Sequence, residues 1–240
     1  MLKRNVFIPV VLALAVVFAL AQPPVVHAKD TPGEEQERAV KAANVLTEIM
    51  GIPEEGIPNE LMEKAYAIAV IPGVKKGAFG IGGEWGKGLV SQRRENGAWG
   101  APSFIKIAGG NIGFQIGVSS TDVVLVFTSK DGFQGLLDGK VKLGADAAVA
   151  AGPVGRKAQA GTDVLLKSPI LAYSRSKGAF AGVSLDGSVV SIDDSANHKA
   201  YGQAYTGHEI LEGKVRPNAV VMPFVTALDK SAPARKRVTD

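Results

Sequence analysis

Two kinds of periodicity divide the chain. Ala39, Ala42, Ala43, Leu46, Ile49 and Met50 recur at three- and four-residue spacing, which is the period of one helix face. Thr31-Pro32-Gly33-Glu34 ahead of them supplies a hydroxyl cap, a proline for the first helical position and an acidic first turn, and Gly51 can end the segment. The pattern predicts a helix over about residues 32–50 and a shorter one from Pro58 to about Lys64. From Ala65 the period shortens. Apolar segments of a few residues alternate with Gly, Asn-Gly and Asp-Gly punctuation, as in an antiparallel sheet or barrel. Predicted strands are Tyr66–Ile71, Gly77–Gly83, Gly88–Arg94, Ser103–Ile107, Ile112–Val118, Val123–Thr128, Lys140–Ala151, Ile170–Ser174, Ala179–Leu185 and Val189–Ile192. Asn96-Gly97 suggests a tight hairpin. Asp131–Leu137, Ala196–Tyr205 and Glu209–Leu211 read as short helices.

Glycine within these strands changes the picture. The chain has 29 Gly in 240 residues, well above the usual share of about 7%. Gly80 and Gly82, Gly86 and Gly88, and Gly113 and Gly117 fall at even spacing, so each set lies on one face of a strand. Rows of missing side chains let a second layer approach or a strand bend sharply. The expected fold class is α+β: a strongly curved, mainly antiparallel β-sheet or barrel-like structure with N-terminal and C-terminal helices packed on it.

The first 28 residues read as a secretory leader. Lys3 and Arg4 precede an uncharged apolar run from Val6 to Ala21, Pro23-Pro24 break it, and Val26-His27-Ala28 suits a signal peptidase. Ala19-Leu20-Ala21 offers another cut. The run is short of the roughly 20 residues that span a bilayer. The expected organisation is a leader over 1–28, a single domain over 29–229 and a flexible basic tail over 230–240. The expected location is outside the cytoplasm, most simply periplasmic after cleavage near Ala28.

Composition excludes several chemistries. There is no Cys, so disulfides, thiolate metal sites and a cysteine nucleophile are impossible. The formal charge of +4 is too mild to announce nucleic acid, and losing Lys3 and Arg4 leaves a nearly neutral chain. No G-x-G-x-x-G precedes a helix, and Gly86-Lys87 lacks the surroundings of a phosphate loop. Gly182-Val183-Ser184-Leu185-Asp186-Gly187 resembles a nucleophile elbow with its second Gly one residue late; a hydrolase would need Ser184 with His208, and a hairpin turn is the plainer reading. Asp193-Asp194 with His198 could hold a hard cation, though a helix N-cap explains the carboxylates as well. The reading is therefore of a protein that is no enzyme, with no cofactor and no metal.

The basic residues are more suggestive. Lys75-Lys76, Arg93-Arg94, Arg156-Lys157 and Arg175 with Lys177 all lie beside predicted turns next to glycine-containing strands. Gathered at one end of a barrel, they would form a patch for phosphate groups, with Gly-rich turns adding backbone N–H donors. Their alternative is solvated loop tips.

Residues from about Leu46 to Leu228 resemble the SYLF domain family. The resemblance is carried by Ala67-Ile68-Ala69-Val70-Ile71-Pro72 with Lys75-Lys76-Gly77, by Trp99-Gly100-Ala101-Pro102-Ser103-Phe104, by Gly113-Phe114-Gln115-Ile116-Gly117 and by Asp122-Val123-Val124-Leu125-Val126. Leu143-Gly144-Ala145-Asp146, Gly152-Pro153 and above all the stretch from Tyr173-Ser174-Arg175 to Gly182-Val183-Ser184 complete it. The resemblance implies phospholipid binding without enzyme activity, through phosphorylated inositol lipids in eukaryotic members. It also implies actin contact for some members, which has no target outside the cytoplasm. Gly100 departs from the Ser usual in the family. The basic amphipathic segment that eukaryotic members place before the domain is replaced here by the leader and by a helix with Glu34, Glu35, Glu37 and Glu48 on its polar side. What carries over is an anionic phospholipid or membrane surface as partner. The alternative is a structural or protein-interaction module of the cell envelope, with an envelope protein as partner.

Overall fold

In three stretches, Ala67–Ile71, Val123–Phe127 and Ile170–Tyr173, every residue is fully buried. Successive strand residues point to opposite faces, so these strands must be covered on both sides. The computed structural model describes residues 33–52, 56–79, 81–111, 117–154, 168–176, 179–183, 185–202 and 204–233. Within them the strands are β1 (Ala67–Phe79), β2 (Ile81–Gln92), β3 (Ser103–Asn111), β4 (Gly117–Phe127), β5 (Lys140–Lys142), β6 (Val149–Ala151), β7 (Ile170–Ser176), β8 (Ala179–Gly182) and β9 (Val189–Ile192). They form one nine-stranded sheet in the order β5-β9-β3-β2-β1-β4-β7-β6, with β8 also pairing β7. The short β6 and β8 share one edge of β7, beside Ile170–Ala172 and Tyr173–Ser176 respectively. All ladders are antiparallel except β6 with β7, so the fold is α+β, with a strongly curled half-barrel sheet and helices at both ends.

The curl can be read from connectivity. β5 and β6 sit at opposite ends of the strand order, which in a flat sheet would put them about 34 Å apart. Only the segment from Lys142 to Val149 joins them, and even fully extended it spans about 25 Å. It is not extended: Leu143 bridges Ala147 and Gly144 turns with φ +80°. The two edges must therefore approach each other. This also corrects the single strand expected over Lys140–Ala151. The Gly144 turn, in which the Lys142 amide donates to Oδ2 of Asp146 at 2.7 Å, splits it into two pieces that serve opposite edges.

Glycine does make the bend. A Cβ on Gly88 would lie 2.2 Å from the Val70 carbonyl oxygen. At this crossing β1 slips register against β2 between Val70 and Lys75, and the missing side chain lets β1 fold tightly over its neighbour. The expected strand Gly77–Gly83 straddles the hairpin tip, where Phe79 pairs with Ile81. Ile112–Ile116, between β3 and β4 in the chain, lie outside the described residues, as do residues 1–32 and 234–240.

Two cores result. On one face Ile68, Val70, Leu89, Phe104, Val124, Val126, Leu171 and Tyr173 pack under helices. These are α1 (Glu34–Met50), α2 (Asn59–Lys64), α4 (Asp194–Tyr201) and α6 (Met222–Ser231), with α1 lying along α6. On the other face Ile71, Val90, Ile105, Val123 and Phe127 meet Val141 of β5 and Val190 of β9, as the concave side of a curled sheet requires. There α3 (Lys130–Leu137) inserts Phe133 edge-on against Phe127, ring centroids 5.0 Å apart, and α5 (Gly207–Glu212) adds Leu211.

Helix α1 buries Ala39, Ala42, Ala43, Leu46 and Ile49, the predicted stripe. Helix α6 was not expected, although Val221, Phe224, Val225 and Leu228 have helical spacing and Pro223 sits in the first turn. It carries ordered structure past 229: Lys230 and Ser231 are helical and Ala232 is fully buried.

Candidate functional site

Each predicted basic residue has a definite fate. Arg93, just past β2, spends its guanidinium on main-chain carbonyls. Nε donates to Ala65 at 3.1 Å, one terminal nitrogen to Gly97 at 2.9 Å, and the other to Met62 and Ala232, each at 3.0 Å. It stacks on Trp99 at 4.2 Å, and the Trp99 indole N–H donates to the same Ala232 carbonyl at 3.0 Å. Met62 and Ala65 close α2, and Ala232 closes α6, so one cation satisfies the open carbonyl ends of two helices. Arg94 does the same for α5, donating to Leu211 at 2.9 Å and Ile210 at 3.3 Å. Burial lowers the affinity of both guanidinium groups for their proton. Gly100 faces this group: a Cβ there would stand 2.5 Å from Arg94 Nε, which gives the Gly for Ser departure a physical reason.

Arg175 on β7 is also committed. Nε and one terminal nitrogen donate to Oδ2 of Asp122 at 3.2 and 2.9 Å, and the other terminal nitrogen bonds Glu48 of α1. Burial works against its charge, but these two carboxylates overcome it and raise its pKa. The other oxygen of Asp122 accepts from the Gly73 amide at 2.8 Å, fixing the β1 bulge.

Lys75 and Lys76 separate because neighbours on a strand face opposite ways. Lys76 turns to the concave side and pairs with buried Glu84 at 3.2 Å, whose other oxygen accepts from the Ser188 hydroxyl. Lys75 turns to the helix-bearing face and reaches Ser120 at 3.3 Å. Lys76 lies opposite Glu84, and Arg93 follows nine positions further along the strand, about 30 Å away. The described doublets therefore do not converge on one rim. Arg156, Lys157 and Lys177 lie outside the described residues, as does Ser184. Asp193 serves as N-cap of α4, accepting from the Ala196 amide and the Ser195 hydroxyl. Arg38 at 3.7 Å and Lys106 at 3.5 Å complete its shell, and the carboxylate role is that of the cap reading.

The structure assembles a different group of cations. Beyond the helices, the face that carries Leu89 continues towards the hairpin tips through Lys87 and Trp85. Trp85 is 55% exposed and its ring lies over Gly77. Lys75 stands opposite Trp85 on β1, and Lys106 of β3 stands opposite Lys87. Lys87 has no hydrogen-bond or ion-pair partner among the described residues. Asp122, on the same face of β4, is neutralised by Arg175. An amphipathic ring thus sits among three lysines on a rigid strand surface. The signal was present as alternation, Trp85 and Lys87 two apart on one strand, and a search for adjacent doublets passes over it.

The sequence pattern of the family described as "Ysc84: Las17-binding protein actin regulator" matches residues 108–231. The chain is 35% identical over 201 residues to LAS seventeen-binding protein 3 of Saccharomyces cerevisiae, covering 80% of this chain and 43% of that protein. It is likewise 35% identical over 201 residues to Protein YSC84 of the same yeast, covering 80% and 42%. Against SH3 domain-containing YSC84-like protein 1 of Homo sapiens it is 34% identical over 188 residues, 76% of this chain and 55% of that one. The chain spans about half the length of these curated relatives; the first is named for binding, and the family description names a Las17-binding actin regulator. A profile matched over more than half of the sequence, and identity extending from the helices through the whole sheet, establish that the chain belongs to the Ysc84 (SYLF) family.

Proposed function

We propose that this domain is a non-enzymatic module that docks on anionic phospholipid surfaces, through Trp85 with Lys75, Lys87 and Lys106. The observation that carries the reading is the exposed Trp85 ring inside that lysine group, on the part of the helix-bearing face that none of the described helices covers. An indole favours the headgroup layer because one edge is apolar and the other can donate. Lysine stems lie along an apolar surface while their ammonium groups reach phosphate. Each lysine near an anionic leaflet contributes about 1 kcal/mol, so Lys75 and Lys87 together contribute roughly 2 kcal/mol, a factor of about 30 in affinity, and Lys106 adds less because it is paired with Asp193. Arg93 and Arg94 are tied to main-chain carbonyls of the fold, and Arg175 is neutralised by Asp122 and Glu48. Lys76 faces the other way. In this reading residues 1–28 act as an export leader, and the surface is the outer leaflet of a bacterial-type inner membrane with its glycerophospholipids.

Co-sedimentation tests this. The protein is expected to pellet with vesicles containing phosphatidylglycerol at low salt and to remain in solution with phosphatidylcholine vesicles. The variant K75E/W85S/K87E should stay in solution with both. Equal pelleting of variant and wild type overturns the site, and no pelleting of the wild type overturns the function. A second reading, docking of a protein partner on the same face, is favoured by relatives that are named as binding proteins. It predicts a stoichiometric protein in the purified complex that K75E/W85S/K87E fails to retain, with no dependence on lipid charge.

A further inference from the structure

Asn96-Gly97 is the only Asn-Gly pair in the chain, and it forms the turn that the Arg93 anchor grips. Asn96 is exposed. Gly97 takes φ +86°, and with no Cβ it leaves its own amide nitrogen unshielded. The side-chain oxygen of Asn96 accepts from the Ala98 amide at 3.0 Å, which draws electrons from Cγ and makes that carbon an electrophile. The nitrogen that follows it in the chain can close a five-membered ring on it. Two bonds hold the pair back. The Gly97 amide donates to the Arg94 carbonyl at 2.8 Å, and the Gly97 carbonyl accepts from Arg93 at 2.9 Å. The Arg94 amide donates in return to the Ala98 carbonyl at 2.8 Å. The Gly97 nitrogen is therefore free to lose its proton only when the turn opens, and Arg93 is the side chain that keeps it shut.

We propose that Asn96 is a self-modification site, which converts to isoaspartate at a rate set by the Arg93 anchor. The Gly97 nitrogen gives its proton to solvent and attacks Asn96 Cγ. A C–N bond forms, the Cγ–Nδ2 bond breaks, and the departing nitrogen takes a proton from water and leaves as ammonia. Water then opens the cyclic imide at either carbonyl, giving aspartate or isoaspartate. The net change is one water consumed and one ammonia released, with no oxidant or cofactor. Isoaspartate routes the main chain through the former side chain, so the turn gains one carbon, and it sets a new carboxylate beside Glu95. The longer turn cannot place the Gly97 carbonyl on Arg93, the Ala98 carbonyl on the Arg94 amide and Trp99 under the guanidinium all at once. Through Arg93 the change reaches the carbonyl ends of α2 and α6, at Met62 and Ala232.

Ageing the purified full chain in warm, mildly alkaline buffer tests this, with peptide mapping and an isoaspartyl methyltransferase as the probe. Isoaspartate is expected at Asn96 in the folded wild type, forming more slowly than in the guanidinium-unfolded chain. Arg93→Lys, folded by circular dichroism at the outset, should convert about fivefold faster, the change in open population that one hydrogen bond controls. Were that variant to unfold, the folded and unfolded wild type would decide the matter between them. Asn96→Gln, whose longer side chain would have to close a six-membered ring, should give no isoaspartate. Aged wild type should unfold at lower urea than fresh protein, and aged Asn96→Gln should not. No isoaspartate at Asn96 in the folded protein, while the unfolded chain converts, overturns the site. Equal rates for wild type and a folded Arg93→Lys, or for the folded and unfolded chains, overturn control by the anchor. Aged wild type as stable as fresh, with Asn96 converted, overturns the reach to the helix ends.

Discussion

The two ends of the long β1–β2 hairpin use positive charge in opposite ways. At the helix-closing end, Arg93 and Arg94 face six main-chain carbonyl contacts between them and Arg93 lies on Trp99. At the tip end, Lys87 has no partner among the described residues, and Lys75 has a single hydroxyl. The planar five-donor guanidinium suits fixed carbonyl arrays, whereas the single ammonium on a flexible stem suits a surface whose partner arrives from outside. A basic residue thus reads as structural or as functional by what its donors already hold, and sequence adjacency does not separate the two.

Removing the structural arginine should have the largest effect. Arg93→Ala leaves the carbonyls of Ala65 and Gly97 without their donor, leaves that of Met62 with the Ala65 amide and that of Ala232 with the Trp99 indole, and strips the cation from Trp99. With about 1 kcal/mol or more for each of the two orphaned acceptors and less for the two that keep a donor, a loss of about 3 kcal/mol is expected in urea unfolding. Arg93→Lys should recover less than half, because one ammonium cannot reach four carbonyls in a plane. Full recovery by lysine would break the contrast drawn between the two ends.

Next in size is the tie between α1 and the sheet. Arg175→Met removes the charge from between Asp122 and Glu48 and leaves Asp122 with the Gly73 amide alone. The expected loss is about 1–2 kcal/mol, read in the same unfolding assay. Vesicle pelleting should be unchanged, since Asp122 and Glu48 already neutralise the Arg175 charge.

Much of this was legible beforehand. The apolar stripe of α1, the strands around Val123–Phe127 and Ile170–Tyr173, the Asn96-Gly97 turn with φ +86° at Gly97 and the antiparallel curl all follow from period and glycine placement. Three things were not. Lys140–Ala151 looked continuous because its apolar content hides the Gly144 turn, and which edge each half joins is a tertiary fact. Helix α6 is hard to read from sequence because it is only ten residues long and runs into the expected basic tail, and Pro223 reads as a breaker unless it is placed in the first turn. The basic doublets were misleading for a geometric reason. Strand alternation puts Lys75 and Lys76 on opposite faces, and helix carbonyl ends far away in sequence claim Arg93 and Arg94.

Acid should discriminate the held carboxylates from solvated ones. Burial works to raise the Asp193 carboxyl, but the Ser195 hydroxyl, Lys106, the Ala196 amide and Arg38 outweigh it and bring its pKa below the usual value. A carboxylate with a lowered folded-state pKa adds stability that is complete above the unfolded value near 4 and fades as pH falls through the folded one. Asp193→Asn should therefore lose about 1 kcal/mol at neutral pH. It should show a shallower fall in stability below pH about 4 than the wild type does. An unchanged acid slope would remove Asp193 from the list of residues held by the fold.

The smallest expected effect is the one that matters most for the tip end. Trp85→Ser exposes no cavity, because the ring already faces solvent over Gly77, and Lys87→Glu breaks no contact among the described residues. Each should shift unfolding free energy by less than about 0.5 kcal/mol, the ordinary range for surface positions. Lys75→Glu should stay in that range too, its loss being one bond to Ser120. If instead any of these three destabilised the domain as strongly as Arg175→Met, that residue would be part of the scaffold, and loss of vesicle binding in the triple variant would reflect damage to the sheet. Near-zero stability change with loss of pelleting is the combination that a docking surface produces and a structural contact cannot, since a structural contact must appear in the folding free energy before it can appear anywhere else.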